Sequence, residues 1–320
     1  MKGADEMKCT EILRLNKLNK SFGKKRIIKD FSLQLDESKI MGLVGPNGAG
    51  KTTIMKMLVG LIKPAGGDIN ICGYNIKDDY AKAIRNVGAI IEVPQFYKYM
   101  TAYQNLMQYA RMYNLPKSRV FEVLKIVGLD HRMNDKVRKY SLGMNQRLGI
   151  AQAILHEPKL LILDEPTNGL DTAAVIELRA YLKKIVQHEH CSVLISSHIL
   201  SEMEKLCDEI AIIQNGELIG VKNTSGAIED SMTDAIELMI NFKVKSIDNI
   251  DWILSKNPYS RNYKIQQNFI IFKSTIDSIP KINEYLVKNN IPVYEIKTEV
   301  SSLESIFMNV TGGNGNEKIG

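Results

Sequence analysis

The stretch Ile40-Met-Gly-Leu-Val-Gly-Pro-Asn-Gly-Ala-Gly-Lys-Thr52 decides the fold class. Its first five residues are a short apolar run, the pattern of a strand buried on both faces, and they pass directly into glycines. Gly45 to Thr52 fits GxxxxGK[ST]. The following Thr53-Ile-Met-Lys-Met-Leu-Val-Gly-Leu-Ile62 has apolar residues at helical spacing and stops before the breaker cluster Lys63-Pro-Ala-Gly-Gly67. Strand, glycine-rich turn and helix, in that order, are the setting in which this motif cradles phosphates. The predicted nucleotide-binding residues are Gly45, Pro46, Asn47, Gly48, Ala49, Gly50, Lys51, Thr52 and Thr53. Amides from Gly48 to Thr52 would wrap the β-phosphate, Lys51 would reach the β- and γ-phosphates, and the Thr52 hydroxyl would bind Mg²⁺. A turn that merely caps a helix is the plainer alternative, and both flanks argue against it.

Moving outward, Leu160-Leu-Ile-Leu-Asp-Glu165 is an apolar strand that ends in two acids, for which a buried strand has no packing reason. Asp164 is expected to hold Mg²⁺, through water or Thr52, and Glu165 to polarise an attacking water. A second strand, Val193-Leu-Ile-Ser-Ser197, ends at His198, placed to hydrogen-bond a γ-phosphate. Strand patterns also occur at EILRLNKL, IIKDFSLQL and Glu209-Ile-Ala-Ile-Ile213, with helical segments such as AAVIELRAYLKKIV between the later ones. Strands alternating with helices imply a parallel α/β sheet. Residues 101–140 instead read as a helical insertion.

Tyr140-Ser-Leu-Gly-Met-Asn-Gln-Arg147 opens the helix LGIAQAIL, and a Ser and a Gly at a helix start can bind an anion through unpaired amides and the helix dipole. By itself the pattern also fits a simple cap. In company with the loop and the Asp164-Glu165 pair, it resembles the nucleotide-binding subunit of ATP-binding-cassette (ABC) transporters over about residues 11–225. The resemblance implies that Ser141, Gly143, Gln146 and Arg147 form the family's signature, that Phe22 stacks on adenine, that Asn168-Gly-Leu-Asp171 crosses a dimer, and that His198 is the switch histidine. It further implies a head-to-tail homodimer, in which Ser141 and Gly143 of one copy bind the γ-phosphate held by Lys51 of the other. ATP and Mg²⁺ are the expected cofactors. Separate multi-pass membrane permease subunits are the expected partners, received by the helical insertion near Tyr97 to Tyr113.

Val87-Gly-Ala-Ile-Ile-Glu-Val-Pro-Gln-Phe-Tyr97 departs from the general family pattern. The family's Gln is followed by an aromatic at +5, an apolar-then-Thr/Ser pair at +8 and +9, and an Asn at +13. Counted from Glu92 these are Tyr97, Met100-Thr101 and Asn105, so Glu92 takes the slot of an amide that touches Mg²⁺. A carboxylate can still ligate the metal but adds negative charge beside phosphates. The stretch resembles that of bacitracin-resistance and lantibiotic-immunity ATPases, and the Tyr140-Ser-Leu-Gly-Met144 signature is similar to theirs. This kinship implies export of an antimicrobial peptide. Another drug, a lipid or an ion is the alternative cargo, and a soluble non-transport ABC ATPase is a reading from a different class.

Past residue 225 the strand and helix patterns run β-α-β-β-α-β, the order of a small α+β, ferredoxin-like sandwich. A last helix is expected in SSLESIFMNV, where Ser302-Leu-Glu-Ser-Ile-Phe307 is similar to the end of these exporter ATPases, and the tail GGNGNEKIG is expected to be disordered. The expected domains are 1–225, an ABC ATPase domain with its helical subdomain at about 95–155, and 226–320, an accessory domain that either senses a ligand or braces a dimer. No recognisable catalytic chemistry lies in the second.

The chain has 320 residues and a formal net charge of +6, all of the basic excess lying before residue 226. Part of that excess is Arg14, Lys17, Lys20, Lys24, Lys25, Arg26 and Lys29, read as a solvated face or as an attraction for nucleotide or anionic headgroups. No stacking-aromatic or helix-turn-helix pattern accompanies it, so nucleic acid is not an expected partner. Cys9, Cys72, Cys191 and Cys207 make no CxxC pair and are expected to be free thiols. No apolar run approaches the roughly 18 residues that span a bilayer, and the first residues lack a signal core. The expected place is therefore peripheral, on the cytoplasmic face of a bacterial cell membrane.

Overall fold

The computed structural model describes residues 10–224, 238–244, 263–266, 269–274, 278–289 and 291–299. The chain divides into two compact units, Met1–Ala227 and Ile228–Gly320.

The first unit begins with two long antiparallel strands, β1 (Glu11–Phe22) and β2 (Lys25–Asp36), joined by a two-residue turn whose Gly23 adopts φ 57°. β3 (Ile40–Val44) is buried at every residue, and α1 (Lys51–Leu58) follows the glycine-rich loop. The helix is shorter than its apolar pattern suggested, because Gly60 turns left-handed at φ 75° and ends it. β4 (Gly66–Ile71) and β5 (Tyr74–Asn75) then complete a four-stranded sheet in the order β2-β1-β4-β5. Residues 63–67, read from sequence as a breaker cluster, thus partly enter a strand. A Cβ on Gly67 would lie 2.3 Å from the Lys17 carbonyl oxygen, so only glycine permits β4 to approach β1 there.

The second sheet runs β10-β9-β3-β8-β7-β6. β6 (Val87–Ile90), β7 (Leu160–Leu163), β8 (Ser192–Ser197), β3 and β9 (Glu209–Gln214) are parallel, and β10 (Glu217–Asn223) returns antiparallel. β3, β7 and β8 are buried throughout, which is why they read as continuous apolar runs. One hydrophobic core joins both sheets through α1, with Leu15 and Phe31 from the first, Leu43, Ile162 and Leu194 from the second, and Ile54, Met55 and Leu58 between.

α2 (Tyr80–Arg85) precedes β6; between β6 and β7 the chain is helical, as expected, with α3 (Ala102–Met112), α4 (Lys117–Ile126) and α5 (Leu142–Ala153) and short 3-10 turns at Asp130–Arg132 and Val137–Lys139. Thr101 and Gln104 close a reciprocal capping box at the start of α3. Arg119 of α4 is buried and donates to the Ile154 and Leu155 carbonyls at 2.9 and 3.2 Å, and to both carboxylate oxygens of Glu189 at the end of α6 (Thr172–Glu189). α7 (Leu200–Met203) precedes β9.

The basic N-terminal residues lie on the solvated hairpin, where Arg14, Arg26 and Lys29 pair with Glu11, Asp30 and Glu217. Cys72, Cys191 and Cys207 are free thiols, the last two buried, while Cys9 lies outside the described residues. Among the described residues no helix is long and apolar enough to cross a membrane.

The second unit has four antiparallel strands, β11 (Leu238–Val244), β12 (Tyr263–Gln266), β13 (Phe269–Ser274) and β14 (Val293–Glu299), in the order β12-β13-β11-β14, with α8 (Ile279–Lys288) between the last two in sequence. Counted within the unit, the strand order is 2-3-1-4, that of the expected ferredoxin-like sandwich. Ile282 and Leu286 of the helix pack on Ile240, Phe242, Ile270 and Phe272 of the sheet. The helices expected in residues 247–256 and 301–310, and the terminal tail, lie outside the described residues.

Candidate active site

The parallel sheet brings three segments to one edge. β3, β8 and β7 are neighbours in register, Val44 opposite Ser197 and Leu163 opposite Ile195, so the residues just past their carboxyl ends meet. Clefts at this end of parallel strands are where α/β proteins bind ligands. Past β3 comes the glycine-rich loop, past β7 come Asp164 and Glu165, and past β8 comes His198.

The loop is built around its glycines. A Cβ on Gly45 would lie 2.3 Å from the Ile213 carbonyl oxygen, and Gly50, at φ 113°, is the N-cap of α1. Gly48, at φ 81°, faces open space, so backbone there is free to approach a ligand. α1 begins with neither a side-chain cap nor an acid in its first turn, leaving amides and the positive dipole end for an anion. Lys51 is 5% exposed and curls back under the loop, donating to the Gly45 and Pro46 carbonyl oxygens at 2.8 and 3.2 Å. Its Nζ also lies 3.2 Å from Glu165 Oε1. A buried ammonium aimed into a glycine cradle fits a polyphosphate.

Glu165 occupies a left-handed backbone position, φ 48°. Its amide donates to Ser196 Oγ at 2.8 Å, and the same hydroxyl donates to Asp164 Oδ1 at 2.7 Å. Ser196 thus orients both acids from β8. His198 Nδ1 lies 2.7 Å from Glu165 Oε2. Burial raises the Glu165 pKa, but the His198 hydrogen bond and the Lys51 charge outweigh it and hold the carboxyl below its ordinary value. The group is therefore ionised at neutral pH, as a proton acceptor must be.

The other expected residues fall into separate places. Phe22 is half-exposed at the end of β1, with Lys20 Nζ 5.1 Å from its ring centre. Ser141 is the N-cap of α5, accepting from the Met144 amide at 3.2 Å, and Asp171 caps α6, accepting from the Ala174 amide at 2.8 Å. Ser141, Gly143, Gly169 and Asp171 share a groove of about 270 Å³ that no residue of the glycine-rich loop lines. Glu92, at φ 70°, is exposed and pairs with Lys56 of α1 at 2.8 Å. That hydrogen bond and charge hold its carboxyl below the ordinary value. Reaching Thr52 or Asp164 would require its release from Lys56.

Two positioning residues were not picked out from sequence. Ser196 is one of two serines that follow the apolar run Val193–Ile195, a pattern that does not distinguish a solvent-facing hydroxyl from one that bridges two acids. Asn105, used there only as a spacing mark, is 2% exposed; it accepts from the Tyr97 amide at 2.9 Å and donates to the Tyr97 and Thr101 carbonyls, tying the 97–101 loop to α3.

Comparison with known proteins agrees with this geometry. Residues 28–168 match the model of the ABC transporter family. The chain is 44% identical to an uncharacterised ABC transporter ATP-binding protein, YhcH, of Bacillus subtilis, across 94% of this chain and 96% of that one. It is 37% identical to the bacitracin transport ATP-binding protein BcrA of Bacillus licheniformis, across 94% and 98%. It is 41% identical to the lantibiotic transport ATP-binding protein SrtF of Streptococcus pyogenes, across 68% and 93%. Among solved structures, an ATP-binding subunit of an ABC transporter superposes with a TM-score of 0.59 and 30% identity, covering 66% of this chain and 90% of that one. With a phosphate cradle, an ionised carboxylate beside it and full-length relatives of this kind, the chain belongs to the ABC transporter family as a nucleotide-binding, ATP-hydrolysing protein.

Proposed function

We propose that this chain is the ATPase subunit of a bacterial ABC exporter that removes an antimicrobial peptide of the bacitracin or lantibiotic type. The meeting of Lys51, Glu165 and His198 at one sheet edge supports the hydrolytic reading. Likeness to a bacitracin transport protein across 94% of this chain supports the cargo class.

In this reading residues 1–225 are the ATPase domain, with a helical subdomain at about 95–155, and 226–320 an accessory domain. The Gly45–Thr53 loop and Lys51 bind the phosphates, and Phe22 stacks on adenine. Among the described residues no cluster of three His, Cys, Asp or Glu side chains could hold a metal. The Thr52 hydroxyl and the Asp164 carboxylate would share Mg²⁺ with the nucleotide's own oxygens, the hard donors that ion prefers. Mg²⁺, when bound, offsets charge developing on the phosphates. Glu165 takes a proton from the attacking water, and His198 holds that carboxylate in place with Nε2 left free for the γ-phosphate. Lys51 must give up Glu165 as phosphate enters, which frees the carboxylate at the moment it is needed.

Ser141 and Gly143, in a groove that no residue of their own chain's glycine-rich loop lines, serve the site of a second, head-to-tail copy, with Asp171 on the crossing loop. Dimer closure on ATP and opening after hydrolysis move separate membrane subunits docked at the helical segment. Glu92, once released from Lys56, would offer a carboxylate oxygen to Mg²⁺. The chain then lies against the cytoplasmic face of the membrane.

The test is the susceptibility of cells carrying the complete transporter, unaltered or as Glu165→Gln, to bacitracin, lantibiotics and unrelated drugs. Selective loss of peptide resistance is expected. Unchanged peptide sensitivity with the complex expressed would remove the peptide as cargo. Tyr97→Asp is expected to keep hydrolysis and lose resistance, and retained resistance would count against docking at this segment.

A further inference from the structure

The sheet of the second unit ends on one side at β14, and among the described residues no strand pairs with the far edge of β14. That edge is seven residues long, Val-Tyr-Glu-Ile-Lys-Thr-Glu, and holds neither proline nor glycine to blunt it. Its irregularity is confined to the start: Val244 faces Val293 and Lys243 faces Glu295, so Tyr294 bulges, while Glu295 to Glu299 keep unbroken register with β11. Tyr294 is 60% exposed and Ile296 38%. Ile296 lies opposite Phe242 and so shares the face that α8 covers. Glu295 and Lys297, opposite Lys243 and Asn241, lie on the other face and pair with each other at 3.0 Å.

The charges along β14 select a partner and a register. When a second copy pairs antiparallel with its two-fold axis at Ile296, Glu295 of each copy faces Lys297 of the other, and the two Ile296 side chains meet across the axis. An axis at Lys297 would set lysine against lysine and Glu295 against Glu299. An axis between Ile296 and Lys297 would set isoleucine against lysine and turn the two α8 helices to opposite faces. The other open edges lack this self-complementarity. β12 has four residues and no acid, β10 has Gly220 at its centre and its Glu217 taken by Lys29, and β2 is interrupted at Asp30, φ 46°.

We propose that the second unit binds a second copy of this chain by joining β14 to β14 in the register centred on Ile296. The two four-stranded sheets become one continuous sheet with both α8 helices on the same face. Each copy covers the other's Ile296, and the Glu295–Lys297 pairs are exchanged between copies.

The test uses the full chain, free of nucleotide, under mild oxidation. Residues paired at the axis stand about 4.5–5.5 Å apart at Cα, within reach of a disulfide. Ile296→Cys is therefore expected to give a linked dimer at least tenfold above the background from the unaltered chain's own thiols. Thr298→Cys is not, because it lies about 13 Å along the strand from its counterpart. On the Ile296→Cys chain, Glu295→Lys or Lys297→Glu alone is expected to lower the yield several-fold. Mixing these two variants is expected to restore it as a mixed dimer, although each copy has lost its own Glu295–Lys297 pair, which only pairing between copies explains. Linkage through Thr298→Cys instead, no linkage with either, or charge variants that link as well alone as mixed would overturn the proposal. With ATP hydrolysis intact in the same preparations, any of these would leave the transporter reading standing.

Discussion

Glu165 Oε2 and His198 Nδ1 lie 2.7 Å apart, on residues that follow adjacent parallel strands. The ring therefore fixes the rotamer of the carboxylate that is proposed to accept a proton from water. Glu165→Gln keeps the shape and removes the base, so hydrolysis is expected to fall about 10²- to 10⁴-fold with nucleotide still bound. Phosphate release and binding of a fluorescent nucleotide, measured on one preparation, check this. Loss of binding together with hydrolysis would instead give Glu165 a role in building the site.

The same carboxyl makes acid stability asymmetric. Its folded-state pKa lies below the ordinary 4.5, so the unfolded chain takes up the proton more readily. The stability this contributes is complete above about pH 4.5 and is lost as pH falls through the folded-state value. Denaturation midpoints of the unaltered chain should therefore drop more steeply below pH 4.5 than those of Glu165→Gln. Parallel curves would remove the proposed coupling to Lys51 and His198.

Gly45→Ala places a methyl group 2.3 Å from the Ile213 carbonyl oxygen and 2.8 Å from its Cγ2. The loop or β9 must shift, at a cost of about 1–3 kcal/mol. Nucleotide affinity is expected to fall at least tenfold, read by titration calorimetry. Unaltered affinity would mean that loop position at Gly45 is not needed for the cradle.

Arg119 is 5% exposed and its partner Glu189 10%, so removing one leaves the other charged and buried. Arg119→Met is expected to cost about 3–5 kcal/mol, and Arg119→Met with Glu189→Leu to recover part of that loss. Chemical denaturation of the set tests it. Simple additivity of the two substitutions would mean that the pair does not act as a unit.

Much of the site was legible because its parts are local. The glycine-rich loop, the two acids closing an apolar strand and the histidine closing another each declare themselves within about ten residues, since strand, turn and helix are set by neighbours in sequence. The order of strands in the second unit was legible for the same reason. Ser196 was not, because a serine in a strand looks the same whether it faces solvent or bridges Asp164 to Glu165. Gly66 and Gly67 misled as breakers, because only pairing with β1 makes glycine the residue a strand needs there.

By itself, then, the sequence determined the parts available: a glycine-rich loop between strand and helix, an acid pair closing one strand, a histidine closing another and a helix opened by Ser141, each specified by short-range pattern. The tertiary structure alone decided their company. Lys51 meets Glu165 across 114 residues because β3 and β7 flank β8, and Glu92 rests on Lys56 instead of on Thr52 or Asp164. Contacts of that range depend on which strands lie side by side and which side chains reach a partner first, and both are settled only when the whole core closes.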